Sequence, residues 1–169
     1  MKDVRPTSGK VLQALFNILG DINNFKFLDL FAGTGRVGLE ALNRGAEFIA
    51  FVESVRERAE NIKSVKNLNN LNSLVLSLEV KRAVIWLAKR EYKFDVIFAD
   101  PPYNLGWGEK FLSINNLSKL LKPDGVLIFE RSVREELCLN LNSEFELIST
   151  RDYGETCLDF LKLKIKNLK

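Results

Sequence analysis

The chain has 169 residues, 46% of them hydrophobic, and 25 Lys and Arg against 22 Asp and Glu give a formal net charge of +3. That balance implies one globular domain with a sizeable core, and it excludes a surface that grips a polyanion everywhere; any nucleic-acid partner must be met by a local basic patch. With no histidine, and with Cys138 and Cys157 outside any Cys-x-x-Cys spacing, the usual zinc sites cannot be assembled; no metal is expected and both thiols read as reduced packing residues.

At the start, Lys2, Asp3 and Arg5 follow Met1 without an apolar run, and later apolar stretches are strand-length and broken by charge. Neither a signal peptide nor a membrane span is expected, which points to a cytoplasmic protein with no membrane partner. "TSGKVLQALFNIL" offers Thr7 or Ser8 as N-cap and Val11, Leu12, Leu15, Ile18 and Leu19 as one apolar face. This predicts a leading helix, within a segment 1–22, packed on a core of 25–169.

Strand-like apolar runs follow at Phe25–Leu30, Phe48–Val52, Leu74–Leu78, Phe94–Ala99 and Val126–Phe129. The intervals carry helical periodicity: Val37 to Leu42, closed by Gly45, then Val55 to Leu68, Val80–Glu91, Glu109–Leu121 and Val133–Leu141. Alternation of this kind predicts parallel βαβ units in an α/β fold. At the end, Glu144–Thr150 and Thr156–Ile165 are joined by "RDYGE" with no crossover helix, so the sheet is mixed, with an antiparallel edge. In "LKLKIKNLK", Leu161, Leu163 and Ile165 alternate with Lys162, Lys164 and Lys166, the pattern of a lysine-protected edge strand.

In "FLDLFAGTGRVGLEAL", Gly33, Gly35 and Gly38 match Gly-x-Gly-x-x-Gly directly after the first strand and into a helix, and Glu53 ends the next strand. Glycines there permit a tight turn and close approach of a ligand, while an acid at that distance accepts hydrogen bonds from a ribose diol. A nucleoside cofactor is therefore expected. Asp29, four residues before the first glycine, is unneeded for a pyrophosphate and suits an ammonium or a sulfonium, which favours S-adenosylmethionine over NAD.

The fourth strand ends in "VIFADPPYN". Pro101 has no N–H to continue a ladder, so the strand stops at Asp100. The prolines hold their carbonyls fixed, so an exocyclic amine can donate to Asp100 and to the Pro101 carbonyl, with Pro102 stiffening the turn and Tyr103 stacking on the base. Orientation rather than a strong base would then do most of the work. Trp107, in a glycine-flanked loop just beyond, is a candidate lid over the base.

"RPTSGKVLQALFNIL", "FLDLFAGTGRVGLEALNRGA", "VES", "DPPYN", "GVLIFERS" and "YGET" together resemble the bacterial 16S rRNA guanine-N2 methyltransferases of the small ribosomal subunit, the RsmD family. The resemblance spans nearly the whole chain. It implies a class I methyltransferase fold, Rossmann-like, with a seven-stranded, mostly parallel sheet and helices on both faces. It also implies S-adenosylmethionine as methyl donor, S-adenosylhomocysteine as product, and methylation of one guanine N2 in 16S rRNA within an assembling 30S subunit. By position, Asp29, Phe31, Ala32, Gly33, Thr34 and Gly35 would line the methionine end, with Gly38 completing the cofactor's glycine motif, Glu53 would bind the ribose and Glu79 would meet the adenine. Asp100, Pro101, Pro102 and Tyr103 would hold the guanine. Apart from the resemblance, Arg5, Thr7, Trp107 and Arg131 are candidates for the substrate side, the arginines as phosphate contacts. A basic hairpin usual upstream of Arg-Pro-Thr is not present in this sequence.

A DNA adenine-N6 methyltransferase would share the glycine loop and Asp-Pro-Pro-Tyr but needs a separate target-recognition domain, for which 169 residues leave no room. A non-catalytic RNA-binding assembly factor would keep the fold without the intact Asp29, Glu53 and Asp100. Nothing in the sequence demands more than a monomer.

Overall fold

A computed structural model describes residues 8–65, 72–102, 105–137, 139 and 143–165. Helix α1, Gly9–Leu19, starts where the Ser8 side chain accepts a hydrogen bond from the Val11 N–H at 3.3 Å, and it ends at Gly20 in a positive-φ conformation. Its buried face is Val11, Leu12, Leu15 and Phe16. Ile18, expected on that face, is exposed, because Leu12 and Phe16 shift the buried stripe around the helix and leave Ile18 at its margin. Thr7 lies outside the described residues.

The remaining elements alternate as expected: β1 Lys26–Asp29, α2 Arg36–Asn43, β2 Phe48–Val52, α3 Arg56–Lys63, β3 Ser73–Leu76, α4 Val80–Lys89 and β4 Phe94–Ala99. After α2, Gly45 takes a positive φ, the turn its position predicted. Then come α5 Trp107–Lys110, a 3₁₀ turn Phe111–Ser113, α6 Leu117–Leu120, β5 Leu121–Ser132, β6 Phe145–Tyr153 and β7 Thr156–Leu163.

The sheet has seven strands in the order β3-β2-β1-β4-β5-β7-β6. Strands β1 to β5 pair in parallel, and β7 pairs antiparallel with both β5 and β6. The mixed sheet with an antiparallel C-terminal side is thus present. Its edge is β6, however, whereas the lysine-alternating strand β7 lies inside the sheet. Leu161 is fully buried, and Ile165 lies beyond the end of the strand and is exposed.

Apolar residues cover both faces. On one, Leu28, Ala50, Ile97, Leu127 and Phe129 pack with α4, Phe111 and α6. On the other, Phe27, Ile49, Phe51, Val96, Phe98 and Ile128 pack with α1, α2 and Ile62 of α3. Each strand contributes alternately to the two sides.

Two expected helices differ. The stretch Glu109–Leu121 is broken into α5, the 3₁₀ turn and α6, because Asn116 adopts a positive φ of 69°, which no helix interior accommodates. The helix expected over Val133–Leu141 is absent across 133–137. There the chain turns, and the Val133 N–H donates to the Glu155 carbonyl at 3.0 Å, tying the segment to the C-terminal hairpin instead.

Candidate active site

Because β1, β2, β3 and β4 are parallel, their carboxyl ends share one rim, where open α/β sheets bind ligands. Backbone hydrogen bonds hold that rim together. The Leu30 N–H donates to the Phe98 carbonyl at 2.9 Å, the Ala32 N–H to the Val52 carbonyl at 2.9 Å, and the Glu53 N–H to the Leu76 carbonyl at 3.1 Å. The loop after β1 turns through Gly33 and Gly35, with φ of 54° and 78°, a region glycine enters without cost. Gly38 serves packing instead. A Cβ there would lie 2.3 Å from a Phe51 ring carbon and 2.6 Å from Ile49, so only glycine lets α2 lie this close to β2. Ala32, Gly33 and Gly35 are buried, Phe31 is half-buried, and Thr34 is exposed at the tip of the turn.

The Glu53 carboxylate is fixed against this loop. One oxygen accepts from the Gly33 N–H at 2.8 Å and the other from the Val55 N–H at 2.7 Å. Each oxygen keeps a lone pair for a further donor.

Asp29, the last residue of β1, is 1% exposed; among the described residues no side chain or well-aligned donor meets its carboxyl oxygens, and only the Phe31 and Gly38 N–H groups lie near enough to favour the anion. Burial, reinforced by the negative charge of Asp100, raises its pKa to about 7. Asp29 and Asp100 therefore neighbour each other across the β1–β4 pair, with Asp100 two residues past Phe98, the partner of Asp29 in register. Beyond Asp100, Pro101 is buried and Pro102 exposed. Tyr103, and with it Arg5 and Thr7, lies outside the described residues.

Trp107 opens α5 and meets the Phe31 ring edge-on, with centroids 5.1 Å apart. The segment that follows Asp-Pro-Pro is thereby docked onto the glycine loop. Glu79 is exposed at the start of α4, between the carboxyl end of β3 and that helix. Arg131 is otherwise engaged: its guanidinium donates to both oxygens of Asp159, at 2.5 and 3.2 Å, and to the Glu135 and Ser132 carbonyls. Asp159 is fully buried and also accepts from the Thr150 hydroxyl.

One residue of the rim was not singled out in the sequence. Glu130, near the carboxyl end of β5, is 3% exposed, and its Oε2 has no partner among the described residues. Burial first, then Asp100 and Asp29, raise its pKa to about 9. The signal was present in strand alternation, since Glu130 falls two residues after the buried Ile128 and so on the same face. Elsewhere, a cleft of about 330 Å³ between α4 and the α5–α6 segment is lined by Lys81, Ile85, Lys110, Ser113, Ile114 and Asn115. It includes none of the rim carboxylates. Among the described residues, no group of His, Cys, Asp and Glu side chains is arranged to hold a metal, and no helix is long and apolar enough to cross a membrane.

This sheet order, with a glycine loop after β1 and Asp-Pro-Pro after β4, defines the class I methyltransferase fold. The chain belongs to the RsmD-like family of methyltransferases: the family model described as "Conserved hypothetical protein 95" matches residues 1–162. The rRNA methyltransferase candidate YlbH of Bacillus subtilis is 36% identical over 157 residues, covering 90% of this chain and 84% of that protein. Ribosomal RNA small subunit methyltransferase D of Buchnera aphidicola is 30% identical over 144 residues, 83% of this chain and 73% of the relative. Among solved structures, the methyltransferase candidate yhhF of Escherichia coli superposes with a TM-score of 0.77 at 26% identity, covering 96% of this chain and 89% of that one. A more distant neighbour in fold alone is the Thermus thermophilus 16S rRNA N2 G1207 methyltransferase RsmC, solved with AdoMet and guanosine, with a TM-score of 0.69 at 24% identity. That match covers 96% of this chain and 44% of the other.

Proposed function

We propose that this rim binds S-adenosylmethionine and directs its methyl group to the exocyclic N2 of a guanine in small-subunit rRNA, on an assembling particle. The single observation that carries the reading is the adjacency of Asp29 and Asp100: the carboxylate suited to a cationic cofactor stands beside the one suited to an amine. The names of the similar relatives support rRNA as the substrate class.

The residues present fit such a cofactor. Asp29 offers a buried carboxyl with no counter-charge among the groups that act on it, which an ammonium or sulfonium would neutralise. The buried glycines let a ligand approach the backbone, and Glu53 is held with lone pairs left for a ribose diol. Glu79, exposed at the start of α4, is assigned to the adenine amine. When bound, S-adenosylmethionine would supply an electrophilic methyl on a positively charged sulfur, which would leave with the C–S electron pair, and the proton lost by the methylated amine would pass to the Asp100 carboxylate or to solvent. The chain's own part is orientation. Asp100 and the Pro101 carbonyl accept the two amine hydrogens, Pro102 stiffens the turn, and Tyr103 stacks on the base, while Trp107 closes over it. The aromatic amine, whose lone pair is delocalised into the ring, is thereby held in reacting geometry. Arg5 and Thr7 are assigned to the RNA side; Arg131 would join them only by giving up hydrogen bonds it already makes.

The test is transfer of label from S-adenosylmethionine to immature small subunits, protein-free small-subunit rRNA and plasmid DNA, with the modified nucleoside identified. The expected product is N2-methylguanosine in the RNA samples. Label only in DNA would instead assign adenine-N6 methylation of DNA, and no label in any sample would leave a non-catalytic assembly factor.

A further inference from the structure

Three carboxyls stand on one face of three neighbouring strands. Phe27 and Asp29 of β1, Phe98 and then Asp100 after β4, and Ile128 and then Glu130 of β5 alternate onto the side covered by α1 and α2. The last registered β4–β5 pair is Ala99 with Phe129, so Asp100 and Glu130 come next, level with each other. A buried carboxylate without a counter-charge costs several kcal/mol, roughly, unless it holds its proton. Among the described residues, the charged groups acting on Glu130 are Asp100 from β4 and Asp29 from β1, both acidic, with Glu53 of the neighbouring loop acting on Asp29. On its other flank, β7 places Leu158 opposite. Arg36 is exposed at the start of α2, and Arg131, next in sequence, is turned to Asp159.

We propose that Glu130 is a positioning residue for methyl transfer: as a neutral carboxylic acid it donates a hydrogen bond to Asp100, fixing the Asp100 carboxylate for the incoming amine. This inference rests on the reading of the rim as a methyl-transfer site. It explains why an acid with an unpartnered oxygen persists in the core, because a neutral carboxyl has one donor and can serve an anion that an apolar side chain cannot. Its charge state also sets a limit. With a pKa of about 9, Glu130 loses its proton, and with it the donor, as pH rises through that value.

The experiment compares the parent enzyme with Glu130→Gln and Glu130→Met in three readouts: infrared difference spectra at pH 7, cofactor binding, and the pH profile of kcat for labelled rRNA. Recorded in an Asp29→Asn background, because Asp29 is itself part-protonated near pH 7, the expected infrared result is a protonated-carboxyl band that Glu130→Gln removes. Glu130→Gln, which keeps a neutral donor, holds kcat within about twofold and loses the fall in kcat near pH 9. Glu130→Met loses about tenfold or more in kcat, the cost of one hydrogen bond to a charged group, with cofactor affinity retained. An unchanged kcat in Glu130→Met, an equal loss in both variants, or a fall near pH 9 that survives in Glu130→Gln overturns the proposal. If the parent methylates no RNA, the infrared band decides by itself: its presence keeps the neutral Glu130 beside Asp100 while the rRNA reading fails, and its absence overturns the pairing.

Discussion

Trp107 packs edge-on against Phe31 at 5.1 Å between ring centroids, joining the segment after Asp-Pro-Pro to the loop after β1. Aromatic pairs of this geometry contribute about 0.5–1.5 kcal/mol beyond the area they bury. A double-mutant cycle of Phe31→Leu and Trp107→Leu, read by chemical denaturation, is expected to give a coupling in that range. In a Trp86→Phe background, Trp107 is the remaining tryptophan, and its fluorescence is expected to change when S-adenosylmethionine binds. An unchanged spectrum at saturating cofactor would place Trp107 outside the cofactor's reach.

Asp29 controls pH dependence. Its pKa is raised from 3.8 to about 7, so its contribution to stability is complete below the unfolded value and is lost as pH rises toward 7. Glu130, raised from 4.5 to about 9, extends the loss to higher pH. Melting temperature is therefore expected to fall from pH 5 to pH 9, and less steeply in Asp29→Asn. A cationic ligand favours the Asp29 carboxylate, so cofactor binding should tighten as pH rises through 7 and release protons below it. Calorimetry in buffers of different ionisation enthalpy reads that release, which Asp29→Asn should abolish along with about tenfold of affinity.

Arg131 and Asp159 form a buried pair, with Arg131 side-chain exposure of 15% and Asp159 of 1%. Removing one partner leaves an uncompensated charge, so Arg131→Ala is expected to cost about 3–5 kcal/mol, while Arg131→Met with Asp159→Leu recovers most of that loss. Denaturant unfolding of the three proteins checks it. If Arg131→Ala unfolds like the parent but lowers the salt dependence of RNA binding, Arg131 contacts phosphate instead.

The parallel core was legible because each strand is a short apolar run ended by a turn-forming or acidic residue, and the two strand-end acids Glu53 and Asp29 were legible for the same reason. What local pattern could not show was long-range placement. The lysine alternation of β7 reads as an edge, yet β7 pairs on both sides, and only the return of β6 settles which strand is outermost. Across 133–137 the expected helical periodicity lost to hydrogen bonding of Val133 with the hairpin at Glu155. Glu130 was hidden because an acid at the end of an apolar run looks solvated until the neighbouring strands show it enclosed.

The central claim is that two adjacent loops divide the work, one holding the cofactor and the other the amine. Its most direct test is a single-turnover reaction of Asp100→Ala loaded with labelled S-adenosylmethionine. The expected result is cofactor bound with near-parent affinity and methyl transfer to small-subunit rRNA slowed by about a hundredfold or more. Transfer at the parent rate would contradict the account.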